Sequence, residues 1–350
     1  MATDFIYPTS ADLNEIARDK LPMLVADRPI FAYFPIRDHE ATLVEWEQRD
    51  NYSGLQQIRG INGQAPSVQK TGVRRFADQP GVYGEYSILD EQELTNRRAP
   101  GQFGAPMDIS DMVMDVQDQL LQRRLDRQEA LIWTLCATGT FSVLGKDNAI
   151  VHTSTYLRQT YSAFASWSSF STATPLADFS GVQLLARGHS VNFGSGAKAF
   201  MNRKTFNNLR SNTNAADIYG RRTTGLGTVN SLAQWNELLS QDDLPEIVIY
   251  DAGYLVDGSV NPFATDMTQF GVFTPFIPDN TVIVFGQRPG NQPIGQMMQT
   301  RNVENGGAPG PYMKVIDTID RKVPRTIEVH DGFNGGPTIE YPSALVVMAV

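Results

Sequence analysis

The chain has 350 residues, room for one large domain or two ordinary ones, and 41% of them are apolar, so a packed core is expected. A formal net charge of −9 and a pI near 5.0, with Lys and Arg scattered, argue against gripping nucleic acid, because that binding runs on phosphate neutralisation and counterion release. The single cysteine, Cys136, excludes an intrachain disulfide or a thiolate cluster, and beside Trp133, Leu135 and Ala137 it reads as a small buried hydrophobe.

The first 50 residues carry ten acids against five bases. No basic region followed by an apolar stretch is read at the start, so no signal peptide is expected. The uncharged run Ala130 to Gly145 is too short and too broken by Thr, Ser and Gly to span a bilayer. Ser10–Leu21 reads as a short amphipathic helix capped by Thr9 or Ser10, with Leu13, Ile16, Ala17 and Leu21 on one face and Pro22 ending it. Strand-like runs follow at Pro29–Phe34 and Thr42–Trp46.

Residues 51–100 differ in kind. Glycine and proline punctuate polar residues, and large apolar side chains are sparse, so this stretch cannot bury itself. It is either disordered or an extended β-hairpin whose partners lie on another molecule. The plausible arms are Val68–Phe76, carrying Lys70, Arg74 and Arg75, and Gly81–Leu89, with Glu85 and then Asp90.

The strongest helix comes next. Asp108 or Ser110 caps it, and Ile109, Met112, Val113, Val116, Leu120, Leu125, Leu131, Ile132 and Leu135 recur near the 3.6-residue period to about Ala137. Its expected polar face carries Asp111, Asp115 and Asp118 early and Arg123, Arg124 and Arg127 later, the order the helix dipole favours. Residues 141–180 read as two strands and a loop, and Leu176–His189 as a helix. A strand at Lys198–Met201 precedes helices at Arg203–Asn212 and Ser231–Ser240. A hairpin is expected from Glu246–Tyr250 and Tyr254–Asp257, then strands at Thr281–Phe285, Tyr312–Ile319, Arg325–Asp331 and Ala344–Val350.

Catalytic chemistry finds no footing. His39, His152, His189 and His330 are far apart in sequence, and the Arg37–Glu40 run reads as a solvated turn. Gly225 and Gly227 lack the third glycine of a dinucleotide loop, and no Walker loop or nucleophile elbow appears. No catalytic, cofactor-binding or metal-binding residue is assigned, and the chain is not expected to be an enzyme. Against this stands the alternative of a β-rich ligand-binding enzyme, whose mark would be a pocket gathering His or carboxylates.

The order of parts is informative: an arm, an extended glycine-rich segment, one long helix, then a mixed body with late long strands. With it come Val73-Arg-Arg-Phe-Ala-Asp-Gln-Pro-Gly81, Glu91-Gln-Glu-Leu-Thr-Asn-Arg-Arg98, Ala199-Phe-Met-Asn-Arg-Lys-Thr-Phe206, Ile247-Val-Ile-Tyr-Asp-Ala-Gly-Tyr254, Phe276–Asn280 and Pro337–Val350. Together these resemble the tailed-bacteriophage major capsid proteins of the lambda-type capsid protein E family, with the Hong Kong 97-like fold.

The resemblance implies an α+β chain divided as an N-terminal arm (1–50), an extended loop (51–104), a peripheral domain (105–190, spine helix 108–137), an axial domain (191–310), peripheral long strands (311–336) and a closing axial strand (337–350). It implies self-assembly into hexamers and pentamers of an icosahedral shell enclosing phage double-stranded DNA without sequence-specific binding. A scaffolding protein, a portal at one vertex and a decoration protein are the implied partners, with no membrane. The virion shell, assembled in the host bacterial cytoplasm, is the implied location, and cohesion without covalent cross-links is expected. The inter-subunit contact candidates are Lys70, Arg74, Arg75, Phe76, Glu85, Arg97, Arg98, Arg123 and Arg127. A cellular nanocompartment shell of the same fold is the alternative within this class.

Overall fold

A computed structural model describes residues 8–49, 55–67, 73–97, 107–144, 149–215, 231–256, 272–318 and 324–350. Helix α1 (Ser10–Ala26) opens on a capping box: Thr9 Oγ1 accepts from the Asp12 N–H while the Asp12 carboxylate accepts from the Thr9 N–H. Pro22 lies inside α1 and does not end it. The backbone bond it forfeits is offset by packing, since Leu21, Leu24 and Val25 all sit against the core. The run expected as a strand at 29–34 is one helical turn, α2 (Ile30–Tyr33), with Ile30, Phe31 and Phe34 buried. A short continuous apolar run does not distinguish the two forms. Strands β1 (Ile36–Asp38) and β2 (Val44–Arg49) follow.

The expected hairpin is not formed between its two arms. Strand β3 (Val73–Asp78) pairs antiparallel with β2, from Val44 opposite Asp78 to Arg49 opposite Val73. Strand β4 (Gly81–Leu89) pairs instead with residues 327–335, nine pairs long. The partner surface predicted to lie on another molecule is thus supplied by the chain's own body for both strands. A six-residue helix, α3 (Glu91–Asn96), follows, capped by Asp90 and with none of its residues buried.

Helix α4 (Ile109–Thr138) has 30 residues, roughly 45 Å of rod. Asp108 caps its start, and Gly139 at φ 74 ends it in the left-handed conformation that favours glycine. Its stripe buries Met112, Val113, Val116, Leu120, Leu121, Leu125, Ile132 and Leu135. Arg124, expected on the polar face, is buried too.

Beyond it run β5 (Thr140–Leu144), β6 (Ile150–Thr155), β7 (Gln159–Ser162), α5 (Pro175–Leu185), β8 (Lys198–Met201), α6 (Arg203–Arg210), α7 (Leu232–Gln241), β9 (Glu246–Ile249), β10 (Gly253–Val256), β11 (Val272–Pro275), β12 (Thr281–Phe285), β13 (Gly295–Gln299), β14 (Tyr312–Asp317), β15 (Ile327–Ile339) and β16 (Leu345–Ala349).

Two five-stranded sheets frame α4. In the first, β15 carries β14 and then β13 along one edge and β4 along the other, with β1 parallel to β13. In the second the order is β7-β16-β12-β8-β9. The expected hairpin at 246–257 does not form. β9 joins β8 in parallel, and β10 pairs with β11. Between them Asp251 is drawn to α6, where its carboxylate accepts from the Arg203 N–H (2.6 Å) and Nε (3.1 Å). Asp257 lies outside the described residues.

β15 is also longer than expected, running through Gly332, Gly335 and Gly336. Glycine is required at 335, where a Cβ would collide with the Met298 carbonyl on the paired strand.

Three apolar clusters result. α1 and the first half of α4 close on Leu89, Met313, Ile327 and Val329. The second half of α4 packs on Phe34, Phe200, Phe285 and Phe333. Across the second sheet, Val282, Val284, Val346 and Met348 meet Phe179, Phe206 and Trp235 from α5, α6 and α7. α4 therefore serves two of the three clusters, and this sets the relation between the sheets.

Candidate assembly surface

Arg123 and Arg127 lie one turn apart on α4 and so share a face. That face looks onto β4. The Glu85 carboxylate receives Arg123 bidentately, Nε at 2.5 Å and Nη2 at 3.0 Å. The guanidinium of Arg127 stands over the Tyr83 ring, 5.8 Å from its centroid, and Tyr83 in turn stacks on Phe333 at 4.9 Å. The pairing with Arg123 holds the Glu85 carboxyl below its usual range and raises the Arg123 guanidinium. Being half-exposed, it adds little to stability.

Beneath this rim Arg124 Nη1 meets Asp331 Oδ1 at 2.5 Å, both side chains buried. Burial pushes the Asp331 carboxyl up to about 6, and the attraction of Arg124 only partly opposes this. Together these groups line a cleft of about 210 Å³ between α4 and the strands β4 and β15.

The other candidates are dispersed. Arg74, Arg75 and Phe76 lie on the β2–β3 ribbon, where Phe76 stacks on Trp46 at 5.3 Å and Arg75 Nε reaches Glu47 at 2.9 Å. Arg97 Nη2 lies 3.1 Å from Asp115 in the first half of α4. Lys70 and Arg98 lie outside the described residues. Of the seven that are described, Glu85, Arg123 and Arg127 meet across one cleft.

A second polar centre escapes a sequence reading. Glu129 of α4 is 1% exposed, and its carboxylate accepts from Arg28 Nη1 (2.8 Å), Trp133 Nε1 (3.0 Å) and the Tyr250 hydroxyl (2.5 Å). Burial, with the hydrogen bond to Glu129, pushes the Tyr250 phenol up. One carboxylate thus ties the segment after α1, the long helix and the end of β9, a structural pin. Cys136 is fully buried and its thiol is pushed up by desolvation, which removes its nucleophilic form. Among the described residues no group of three His, Cys, Asp or Glu is arranged to hold a metal ion, and no helix is long and apolar enough to cross a membrane.

A family model described as phage major capsid protein E matches residues 15–299. No curated protein matches the chain. Among solved structures, one described as the capsid protein of an E. coli CFT073 prophage shares 14% identity over 95% of this chain and 98% of its own, at a TM-score of 0.57. A phage-related protein of Bordetella bronchiseptica RB50 (11% identity, 93% and 96% covered, TM-score 0.49) and the capsid of cyanophage P-SCSP1u (10%, 91% and 86%, 0.47) are also similar.

Proposed function

Because this chain belongs to the phage major capsid protein E family, we propose that its copies form hexamers and pentamers that close an icosahedral shell around phage double-stranded DNA. Its fold is the Hong Kong 97-like capsid fold, and it is a structural protein of the phage head shell, not an enzyme. The observation that carries the proposal is a body complete in itself beside a segment that is not. Every described residue from 55 to 67 is exposed, with Leu55, Ile58 and Ile61 at 98%, 96% and 98%. Apolar side chains held in water at that level favour a partner surface, and in a homo-oligomeric shell the neighbouring copy supplies it.

The proposed organisation keeps the arm at 1–50, the extended loop at 51–104, peripheral parts at 105–190 and 311–336, and axial parts at 191–310 and 337–350. Sheet membership favours two adjustments: β7 groups with the axial sheet through β16, and β13 with the peripheral one through β15. Lys70, Arg74, Arg75, Phe76, Arg97 and Arg98 remain contact candidates on the loop side. A scaffolding protein during assembly, a portal and a decoration protein are the further partners of this reading. The acidic chain suits a wall that contains DNA without adhering to it.

Electron microscopy of the expressed protein tests the proposal. Closed shells, tubes or ring-shaped capsomers are expected. A chain that stays monomeric at high concentration, alone and with its scaffolding protein, overturns it.

A further inference from the structure

The arginine-rich cleft has more positive charge than its own carboxylates balance. Arg123, Arg124 and Arg127 face only Glu85 and Asp331 there, three cations against two anions. Arg124 and Asp331 satisfy each other in the interior, and Arg123 holds Glu85 at the rim. Arg127 reaches no carboxylate within 4.0 Å among the described residues and rests on the Tyr83 ring. Two guanidinium groups one helical turn apart repel, and Glu85, bonded to Arg123 and also attracted by Arg127, offsets only part of that charge. The cleft opens where they lie, and the stacked Tyr83 and Phe333 rings give it an apolar floor for the stem of an incoming acidic side chain.

The same chain carries matching charge that no ion pair engages among the described residues. Helix α3 exposes Glu91 and Glu93. On α4, Asp115 is engaged by Arg97 and Asp118 by Lys20. The chain's own α3 is anchored beside Asp115 through Arg97, and Arg123 lies eight residues further along the helix, roughly 12 Å away. An acidic knob and a basic cleft thus lie apart along one edge of the molecule. Surfaces that differ in this way pair head to tail between copies, giving rings where the rotation closes and open filaments where it does not.

We propose that this cleft receives α3 of a second copy, with Glu91 or Glu93 bridging Arg123 and Arg127. The contact rests on the shell-forming reading above and deepens it. It joins a fixed helix face to a short helix, so it is distinct from the apolar contact of residues 55–61. Its strength depends on charge, so it weakens with salt.

The test is a charge swap followed by sedimentation, which separates subunits from capsomers and shells. R127E alone, and E91K with E93K, are each expected to lower assembled material at least roughly tenfold, while unassembled subunits keep their melting temperature. The triple variant is expected to restore assembly to within about threefold of wild type, since the swapped charges again attract. Either change leaving assembly intact overturns the inference. Loss in both that the triple variant does not restore also overturns it, and points to another occupant of the cleft. Should R127E fail to fold, R127Q against E91Q/E93Q replaces it: each must weaken assembly and flatten its salt dependence, and unchanged salt dependence counts against the contact. Wild-type protein that never assembles would overturn the shell reading itself, an outcome separate from these.

Discussion

Residues 81–89 and residues 55–67 come from one glycine-punctuated region, yet β4 is locked into a sheet while 55–67 stands off the body with every residue exposed. The difference lies in spacing more than in composition. In β4 the alternate residues Tyr83, Glu85 and Leu89 turn toward α4, where Tyr83 stacks on Phe333, Glu85 meets Arg123 and Leu89 enters an apolar cluster. In 55–67 the apolar residues Leu55, Ile58 and Ile61 fall three apart, which places them on no common face of a strand. The two-residue period lets β4 bury one side against its own body, and the three-residue period does not.

The largest test breaks the anchored half. Leu89, at the end of β4, is 2% exposed and shares one apolar cluster with Val113, Ile327 and Val329. Leu89→Asp puts an unpaired carboxylate into that cluster. A loss of roughly 3–5 kcal/mol is expected in urea denaturation of unassembled subunits. A change under about 1 kcal/mol would mean that β4 is not held by its side chains.

A smaller test acts where β15 supports β4. Asp331, opposite Glu85 in the ladder, is pushed up to about 6 from an ordinary 3.8 by burial. Between those values the folded chain binds more protons at this site than the unfolded chain, so stability falls as pH rises from about 4 to about 6. The ionised form is thus less favoured by on the order of 2–3 kcal/mol at neutral pH, though Arg124 stays beside it. Asp331→Asn removes that proton. Its stability is expected to change less than that of wild type between about pH 4.5 and about pH 7, as read by paired denaturation curves. Parallel pH profiles for the two proteins would show that Asp331 titrates normally.

Such contrasts explain which parts of the fold are legible in sequence. α4 follows its hydrophobic period over enough residues that no alternative competes, and its boundaries, like those of the short apolar runs β8 and β12, fall within a residue or two of expectation. The partner of β4 is not legible, because pairing between residues 81–89 and 327–335 leaves no local trace. Nor is the hairpin at 246–257 safe to infer from adjacency, since β9 finds a parallel neighbour in β8. Arg124 misleads because its charge outweighs its position: it lies between Leu121 and Leu125 and one turn before Gln128, all buried, so the stripe itself marks it as internal. Glu129 cannot be found that way, because its meaning depends on Arg28 and Tyr250, each more than a hundred residues distant.

The smallest expected effect on the folded subunit comes from the free half. Leu55, Ile58 and Ile61 have no body side chain to lose, and surface substitutions away from special features stay within about 0.5 kcal/mol. Replacing all three with Ser should therefore leave the urea midpoint of unassembled subunits where it was. Assembly is a different matter. Burying three such side chains against a neighbour contributes about 1.5–3 kcal/mol each before entropic costs, and a shell repeats the contact in every copy. The triple Ser variant is expected to remain a soluble, folded subunit that fails to form shells, seen by sedimentation and electron microscopy. Normal shells from it would remove the partner role assigned to 55–61. A lowered urea midpoint would show instead that the segment packs on its own chain, and would close the gap between it and β4.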